Sequence, residues 1–136
     1  MNADASQPKV EQPAATAGGS FPRSARLLKH SDFDRVYKQG RRHFSSHMTV
    51  FYQRGASPEG SARVGFTVGR VLGGAVERNR IKRRLREAVR QQRGVLAGAV
   101  DVVINPKKSV LTLEFSVLKE EVGRAMEAVA KKLGAK

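Results

Sequence analysis

The chain has 136 residues without cysteine or tryptophan, and its 26 Lys and Arg residues against 12 Asp and Glu give a formal net charge of +14. The missing cysteine excludes disulfides and thiolate metal sites and makes the reducing cytoplasm the expected location. No apolar run reaches the length of about 18 residues that a membrane span needs, and the strong positive charge is typical of nucleic-acid-binding proteins.

The first 22 residues are predicted to be a disordered extension. They are rich in Ala, Gln, Pro, Gly and Ser, and they lack both the charged start and the apolar centre of a signal peptide. The rest of the chain, residues 23–136, has a normal length for one domain with one core. We therefore expect a single folded domain after this extension.

A short helix is predicted first, over Asp32–Gln39. Ser31 precedes it in a pattern typical of a helix cap, and Gly40 is a plausible residue for its end. One side of this helix is apolar and aromatic because three residues are spaced i, i+3, i+4: Phe33, Val36 and Tyr37.

Three strands are predicted next in the chain. Met48–Arg54 and Arg63–Val68 alternate in character and are separated by the turn-forming segment Gly55–Gly60, so the two should form a hairpin. Val100–Ile104 is a short apolar run, closed by Asn105-Pro106, and is predicted to be a buried strand.

Between the second and third strands, a basic helix is predicted from Val76 to about Gly94. It has eight Lys or Arg residues and two acids from Val76 to Arg93. Its single apolar stripe consists of Ile81, Leu85, Ala88 and Val89. Like charges spaced i, i+4 repel by about 0.2–0.5 kcal/mol per pair, so a polyanion is expected to compensate. A merely solvated helix face would normally mix both signs.

A final helix is predicted from about Phe115 to Leu133, where apolar residues keep helical spacing. The predicted order is therefore α-β-β-α-β-α, an α/β or α+β arrangement with helices packed on one sheet. The second strand, basic helix and third strand could form a parallel βαβ unit, for which a right-handed crossover is the general default.

The chain resembles the protein subunit of bacterial ribonuclease P. The motif Arg78-Asn79-Arg80-Ile81-Lys82-Arg83 follows the strand Arg63-Val64-Gly65-Phe66-Thr67-Val68, as in that family. Upstream, Arg26-Leu27-Leu28-Lys29, Asp32-Phe33, Val36-Tyr37 and Gly40 resemble the opening helix of the family. The resemblance covers roughly Arg26 to Leu133 and implies an α/β sandwich whose βαβ crossover is left-handed.

The resemblance also implies the function. Members bind a large catalytic RNA, and the ribonucleoprotein removes the 5′ leader of precursor tRNA by metal-assisted hydrolysis. The RNA subunit holds the catalytic Mg²⁺, whereas the protein raises substrate and metal affinity. We therefore expect an endoribonuclease component with no catalytic residue, no metal and no cofactor of its own. Its expected partners are the catalytic RNA and the precursor-tRNA leader, with no DNA and no membrane.

Two sets of binding residues follow by matching positions to the family. The set expected to contact the catalytic RNA is Arg78, Asn79, Arg80, Lys82, Arg83 and Arg86. The resemblance also implies that the single-stranded leader binds in a cleft between the first helix and the sheet, which we call the groove. The set expected to line the groove is Phe33, Tyr37, Thr49, Phe51 and Arg70. Arginine forks and aromatic rings suit phosphates and bases respectively. Two alternatives stay open: Asn79 could cap the helix, and the aromatic residues could simply fill the core.

The chain departs from the family pattern at two places. Val71 stands where many members have a second lysine, and Asn105-Pro106-Lys107-Lys108 brings charge one or two residues later than usual. Tyr52 and Phe66 are predicted to lie in the core or on the opposite face of the sheet.

The residues that could bind metal are few. His30, His43 and His47 are not at zinc-ligand spacing and are predicted to be solvated or to face RNA. The chain has no carboxylate cluster near the basic helix for two Mg²⁺ ions, and Asp32 and Asp34 are interpreted as a helix start.

Other classes of protein fit less well. A ribosome-type structural RNA-binding protein is the main alternative. A helix-turn-helix DNA binder would need a helix where Arg63–Val68 alternates like a strand, and a membrane-surface protein would need a broad apolar face with Trp or Phe.

Overall fold

A computed structural model describes residues 29–55, 61–92, 95–96 and 98–133. The elements in chain order are helix α1 (His30–Gln39), strands β1 (Arg41–Phe44), β2 (Met48–Arg54) and β3 (Arg63–Phe66), helix α2 (Ala75–Gln92), strand β4 (Val100–Pro106) and helix α3 (Phe115–Lys132). Two 3-10 turns span Arg70–Leu72 and Lys108–Leu111. The predicted extension 1–22 and positions 56–60 of the predicted turn lie outside the described residues.

The sheet has the strand order β1-β2-β4-β3. Strand β4 pairs antiparallel with β2 and parallel with β3, so it lies between them. The predicted hairpin between Met48–Arg54 and Arg63–Val68 is therefore wrong. The physical reason is burial: β4 is the strand that is almost wholly buried, and a central position covers both of its faces.

The parallel unit β3–α2–β4 is confirmed, and so is the predicted α+β fold with its order of elements. The left-handed crossover stays an expectation from the resemblance. Strand β1 is an addition that the sequence analysis did not predict. It is an edge strand held to β2 by backbone pairing from Arg41↔Tyr52 to Phe44↔Thr49.

Helices α2 and α3 cover one face of the sheet, and α1 covers part of the other. The main core lies beneath α2 and α3 and includes the predicted apolar stripe, which is fully buried: Ile81, Leu85, Ala88 and Val89. Tyr52 is buried in this core and Phe66 packs against it, as predicted. A second, small cluster lies beneath α1, on the opposite face.

Helix α1 begins at His30, and Lys29 stands at its cap position without a side-chain hydrogen bond. The predicted cap at Ser31 is therefore wrong. Gly40 ends the helix as predicted, although its φ of −82° is not left-handed. A Cβ atom at Gly40 would lie 2.5 Å from the Val36 carbonyl oxygen and 2.6 Å from that of Tyr52. Glycine is needed here because it lets the helix end against β2.

An ion cluster joins α1 to the sheet. Asp101, only 1% exposed, accepts hydrogen bonds from Arg63 Nε at 3.0 Å and Nη2 at 2.9 Å, and another from Arg35. Asp32 lies 3.2 Å from Arg35 and 3.5 Å from Arg63. Hydrogen bonding to Asp101 raises the pKa of both arginines. Asp32 thus anchors the helix to the sheet in addition to lying in its first turn.

A second polar cluster joins α3 to the turn between β1 and β2. Glu121, which is buried, accepts hydrogen bonds from the Ser45 hydroxyl, from the His47 backbone N–H at 2.8 Å and from His47 Nδ1 at 2.7 Å. The prediction that His47 is a solvated imidazole is therefore wrong, and a contact between His47 and RNA stays a prediction. Its ring is held by a buried carboxylate on the face of the sheet away from α1.

This cluster should make stability depend on pH. Burial raises the pKa of Glu121, but its hydrogen bonds to Ser45 and His47 outweigh burial and hold the pKa below the ordinary 4.5. Glu121 therefore stabilises the fold above pH 4.5, and this contribution is lost as pH falls through the lowered pKa. Denaturant unfolding between pH 3 and pH 6, roughly the carboxylate range, should show a shallower fall in unfolding free energy for Glu121→Gln than for the wild type.

The control is Glu120→Gln, a neighbour on α3 whose side chain is 70% exposed. This variant should follow the wild-type curve. Identical pH profiles for Glu121→Gln and the wild type would contradict the role of this carboxylate.

Candidate nucleic-acid interface

Helix α2 carries all six residues that were predicted to bind the catalytic RNA, and three of them are exposed. Asn79, Arg80 and Arg83 are exposed, and Lys82 and Arg86 are half-buried beside the apolar stripe. Arg78 is half-buried too, and its Nε donates to the Gly73 carbonyl at 3.2 Å. The structure therefore brings all six predicted residues onto one helix whose apolar stripe is anchored in the core.

The beginning of α2 shows how this helix is fixed. The Glu77 carboxylate accepts the Gly74 backbone N–H at 2.9 Å, which satisfies one N–H at the helix start. Gly73 has a φ of +133°, a conformation in which a side chain would be strained. Asn79 lies in the fifth position of the helix Ala75–Gln92 and is exposed, so the alternative that it caps the helix is wrong.

Arg84 and Arg90, two cations outside the predicted set, also make contacts within the protein. Arg84 donates to the Leu113 carbonyl before α3, and Arg90 Nε donates to Glu87 at 3.1 Å. The hydrogen bonds from Arg90 and Gln91 lower the pKa of Glu87, which keeps this acid ionised beside the arginine. These contacts hold Arg84 and Arg90 against neighbouring parts of the protein.

The predicted groove aromatics lie between α1 and the sheet. Phe33, Tyr37 and Phe51 are half-buried and pack against Val36 and Val103 in the small cluster. The ring centroids of Tyr37 and Phe51 are 4.8 Å apart, with an interplanar angle of 86°. These residues therefore belong to a small core, while part of each side chain stays accessible, and their contact with RNA stays a prediction.

The Tyr37 hydroxyl marks the open end of this cluster. It donates to Asn105 Oδ1 at 2.8 Å and shares a hydrogen bond with Thr67 Oγ1. Burial raises its pKa, so the hydroxyl keeps its proton. The sequence analysis did not name Thr67 and Asn105 as candidate site residues. Their position could have indicated them, because Thr67 follows β3 and Asn105 lies near the end of β4, and α/β proteins commonly place binding sites at the carboxyl ends of parallel strands.

Beyond Tyr37, four neighbouring positions on this face are only partly covered, and we call them the open row: Phe44, Thr49, Asn105 and Thr67. Strand register places Phe44 opposite Thr49 and Thr49 opposite Asn105. The Thr67 N–H donates to the Ile104 carbonyl, which places Thr67 beside Asn105. Thr49 and Asn105 are half-buried, whereas Phe44 and Thr67 are exposed. The open row therefore crosses the whole sheet.

Cations lie next to both ends of the open row. Arg42, on the same face as Phe44, has its Cζ atom 5.6 Å from the Phe51 ring centroid. Lys107 and Lys108 follow β4 and are exposed. Arg70 is exposed in the 3-10 turn after β3, and its neighbour Val71 is 90% exposed. Exposed cations therefore lie both beside the open row and in the segment that leads from β3 to α2.

The part of the chain that the structure describes has neither a metal-binding cluster nor a membrane-spanning helix. Within these residues, no three His, Asp or Glu side chains come together in a group that could hold a metal ion. No helix in the same residues is long and apolar enough to cross a membrane.

A family model described as Ribonuclease P matches residues 21–130. This chain belongs to the ribonuclease P protein family. It is a bacterial ribonuclease P protein subunit, as the sequence resemblance indicated, and thus a component of a ribonucleoprotein of tRNA processing.

Individual relatives agree with this family. The chain is 34% identical to the ribonuclease P protein component of Desulforapulum autotrophicum over 119 residues, covering 85% of this chain and 97% of that one. It is 40% identical to the component of Oleidesulfovibrio alaskensis, covering 70% of this chain and 79% of that one.

Solved structures agree as well. The ribonuclease P protein of Thermotoga maritima is similar with a TM-score of 0.67 and 26% identity, over 76% of this chain and 96% of that one. The ribonuclease P protein of Staphylococcus aureus, at 24% identity, supports the fold alone, with a TM-score of 0.67 over 77% of this chain and 94% of that one.

Proposed function

We propose that this subunit assists the catalytic RNA of ribonuclease P in removing the 5′ leader of precursor tRNA, in the cytoplasm. One observation carries the proposal. The beginning of α2 and the Thr67 end of the open row both follow the end of β3, where Thr67 lies beside Asn105. A catalytic RNA at the beginning of α2 and a single strand on the open row would therefore meet at this end of the sheet.

In this proposal α2 binds the catalytic RNA. Arg80 and Arg83 are exposed, and Arg78 is oriented by its bond to the Gly73 carbonyl. Arginine presents two parallel donors to a phosphate, which adds geometry to charge. The catalytic Mg²⁺ ions belong to the RNA in this proposal, and the positive charge of α2 lowers the repulsion between RNA strands that meet there.

The groove binds the leader. Aromatic faces accept any base by stacking, so they suit a leader that differs between tRNAs. Thr49, Thr67 and Asn105 offer hydroxyl and amide groups to the ribose and base edges of an RNA strand. Tyr37 and Phe51 form the floor of this groove, and their mutual packing holds it in shape.

The test is reconstitution with the catalytic RNA. At low Mg²⁺ the full chain should restore site-specific cleavage of precursor tRNA, and its RNA affinity should fall with salt by a slope of about −0.7 per single-strand phosphate bound. The chain should bind leader-bearing tRNA more tightly than mature tRNA, which is the matched control. Site-specific hydrolysis by the protein without RNA, or equal binding of both tRNAs, would contradict the proposal.

A further inference from the structure

Phe44 is the most exposed aromatic side chain in the described part of the chain, with 70% of its surface accessible. It ends the edge strand β1 opposite Thr49, on the face of the sheet that carries α1. Burying a phenylalanine is ordinarily favourable by about 1.5–3 kcal/mol, so a ring left in solvent at a fixed strand position suggests a partner.

The other aromatic residues of this face are less open. Tyr37 packs its ring against Phe51 at a centroid distance of 4.8 Å, and the Arg42 guanidinium lies over Phe51 at 5.6 Å. A base would have to displace Arg42 to stack on that side of Phe51. Phe33 belongs to the same packed cluster. Phe44 therefore has the largest open ring surface next to the groove.

The charge around Phe44 indicates the kind of partner. Arg41 and Arg42 precede it on the same strand and are exposed, and the whole chain carries a net charge of +14. Arg42 lies on the same face as Phe44, whereas Arg41 lies on the other face and donates to the Lys132 carbonyl at 3.2 Å. An aromatic ring beside an arginine suits a base and its phosphate, because stacking and phosphate pairing occur together in single-stranded nucleic acid.

We propose that Phe44 is a base-stacking position for one nucleotide of the single-stranded 5′ leader, at the outer end of the open row. Arg42 contacts the adjacent phosphate in this arrangement. Neighbouring strands are about 4.8 Å apart, so Phe44 and Asn105, two strands away, can hold successive parts of one RNA strand. The inference rests on the proposed function, since it extends the leader groove past β2 onto β1.

The experiment measures binding of the reconstituted complex to precursor tRNAs whose leaders increase by one nucleotide. A 2-aminopurine probe placed at each leader position in turn reports stacking through fluorescence quenching. The full chain is compared with Phe44→Ala, Phe44→Leu and Phe44→Trp, and with Val117→Ala as a control on α3, where Val117 is 38% exposed.

We expect Phe44→Ala to weaken binding by roughly fivefold to 150-fold, and only for leaders long enough to reach β1. Quenching should be lost at one leader position. Phe44→Leu should behave like Phe44→Ala, because leucine is apolar but cannot stack, whereas Phe44→Trp should keep wild-type affinity. Val117→Ala should match the wild type throughout. The melting temperatures should stay close to that of the wild type, since the ring is exposed.

Two failures are distinguishable. If the wild type does not prefer longer leaders, the proposed function fails and the Phe44 inference fails with it. If the wild type prefers longer leaders and Phe44→Ala keeps that preference, only the Phe44 inference is overturned. Sedimentation gives a further test. If Phe44→Ala has a lower mass than the wild type and an unchanged leader affinity, the inference is also overturned, because the ring would then hold two copies of the chain together at the β1 edge.

Discussion

Replacing Asp101 with alanine is expected to lower the free energy of unfolding by about 3–5 kcal/mol, among the largest losses for a single residue here. The carboxylate is buried between Arg35 and Arg63, and its removal leaves two partly buried guanidinium groups facing each other. Asp32 can neutralise only part of that charge, at 3.2 Å and 3.5 Å. Denaturant unfolding of the full chain at neutral pH measures the loss.

Asp34→Ala is the matched control, because Asp34 is an exposed acid on α1 that lies 4.0 Å from the ring of the exposed His30. This variant should stay within about 0.5 kcal/mol of the wild type. A loss below about 1 kcal/mol for Asp101→Ala would mean that solvent screens the arginines well enough to replace the buried partner.

The double variant Arg80→Ala/Arg83→Ala is expected to weaken binding to the catalytic RNA by about 3 kcal/mol or more. Both side chains are exposed on α2 and lie off its apolar stripe, so the fold should be retained. Removing a charge-assisted hydrogen bond costs about 1.5–3 kcal/mol, with the lower end expected at an exposed site. The salt slope of binding should become less steep by about 0.7 for each phosphate that the variant no longer binds.

Lys119→Ala/Lys131→Ala removes the same charge from exposed positions of α3 and is the control. If binding depends on net charge alone, both double variants will lose the same affinity. That outcome would contradict a specific role for α2. A difference confined to the α2 variant, with equal melting temperatures, supports it.

The parts of the fold that repeat a local pattern were predictable from the sequence. The stripe of Ile81, Leu85 and Val89 recurs at the helical period, and the structure buries all three. Strand β1 was missed because Arg41-Arg42-His43-Phe44 has no apolar alternation. Its place depends on backbone pairing with β2, which no side-chain pattern records.

The pairing of the strands and the burial of Asp101 could not be predicted from local sequence patterns. Whether Met48–Arg54 lies beside Arg63–Phe66 or beside Val100–Pro106 depends on which strand can be covered on both faces, a property of the whole domain. Asp101 stood inside an apolar run, and its partners Arg35 and Arg63 are distant in the chain. Only the assembled structure shows that this acid is enclosed by two arginines.

Some features of the candidate site could be predicted from the sequence. The density of cations on α2 was visible in the sequence, and so was the aromatic character of α1. The internal bond of Arg84 to Leu113 and the meeting of Tyr37 with Thr67 and Asn105 were not visible, because each joins separate elements. The RNA contacts of these residues stay a prediction, with the experiments above as their tests.

The central place of β4 has a consequence for how the chain is made. Strands β2 and β3 are both translated before β4. In the sheet, however, β4 lies between them and pairs with each of them. Of these pairings, only β1 with β2 can form from the first half of the chain. Sheet assembly must therefore wait until the ribosome has released residues beyond Pro106, and non-local pairing of this kind slows folding. During that interval the basic segment of α2 is already synthesised and open to any RNA nearby.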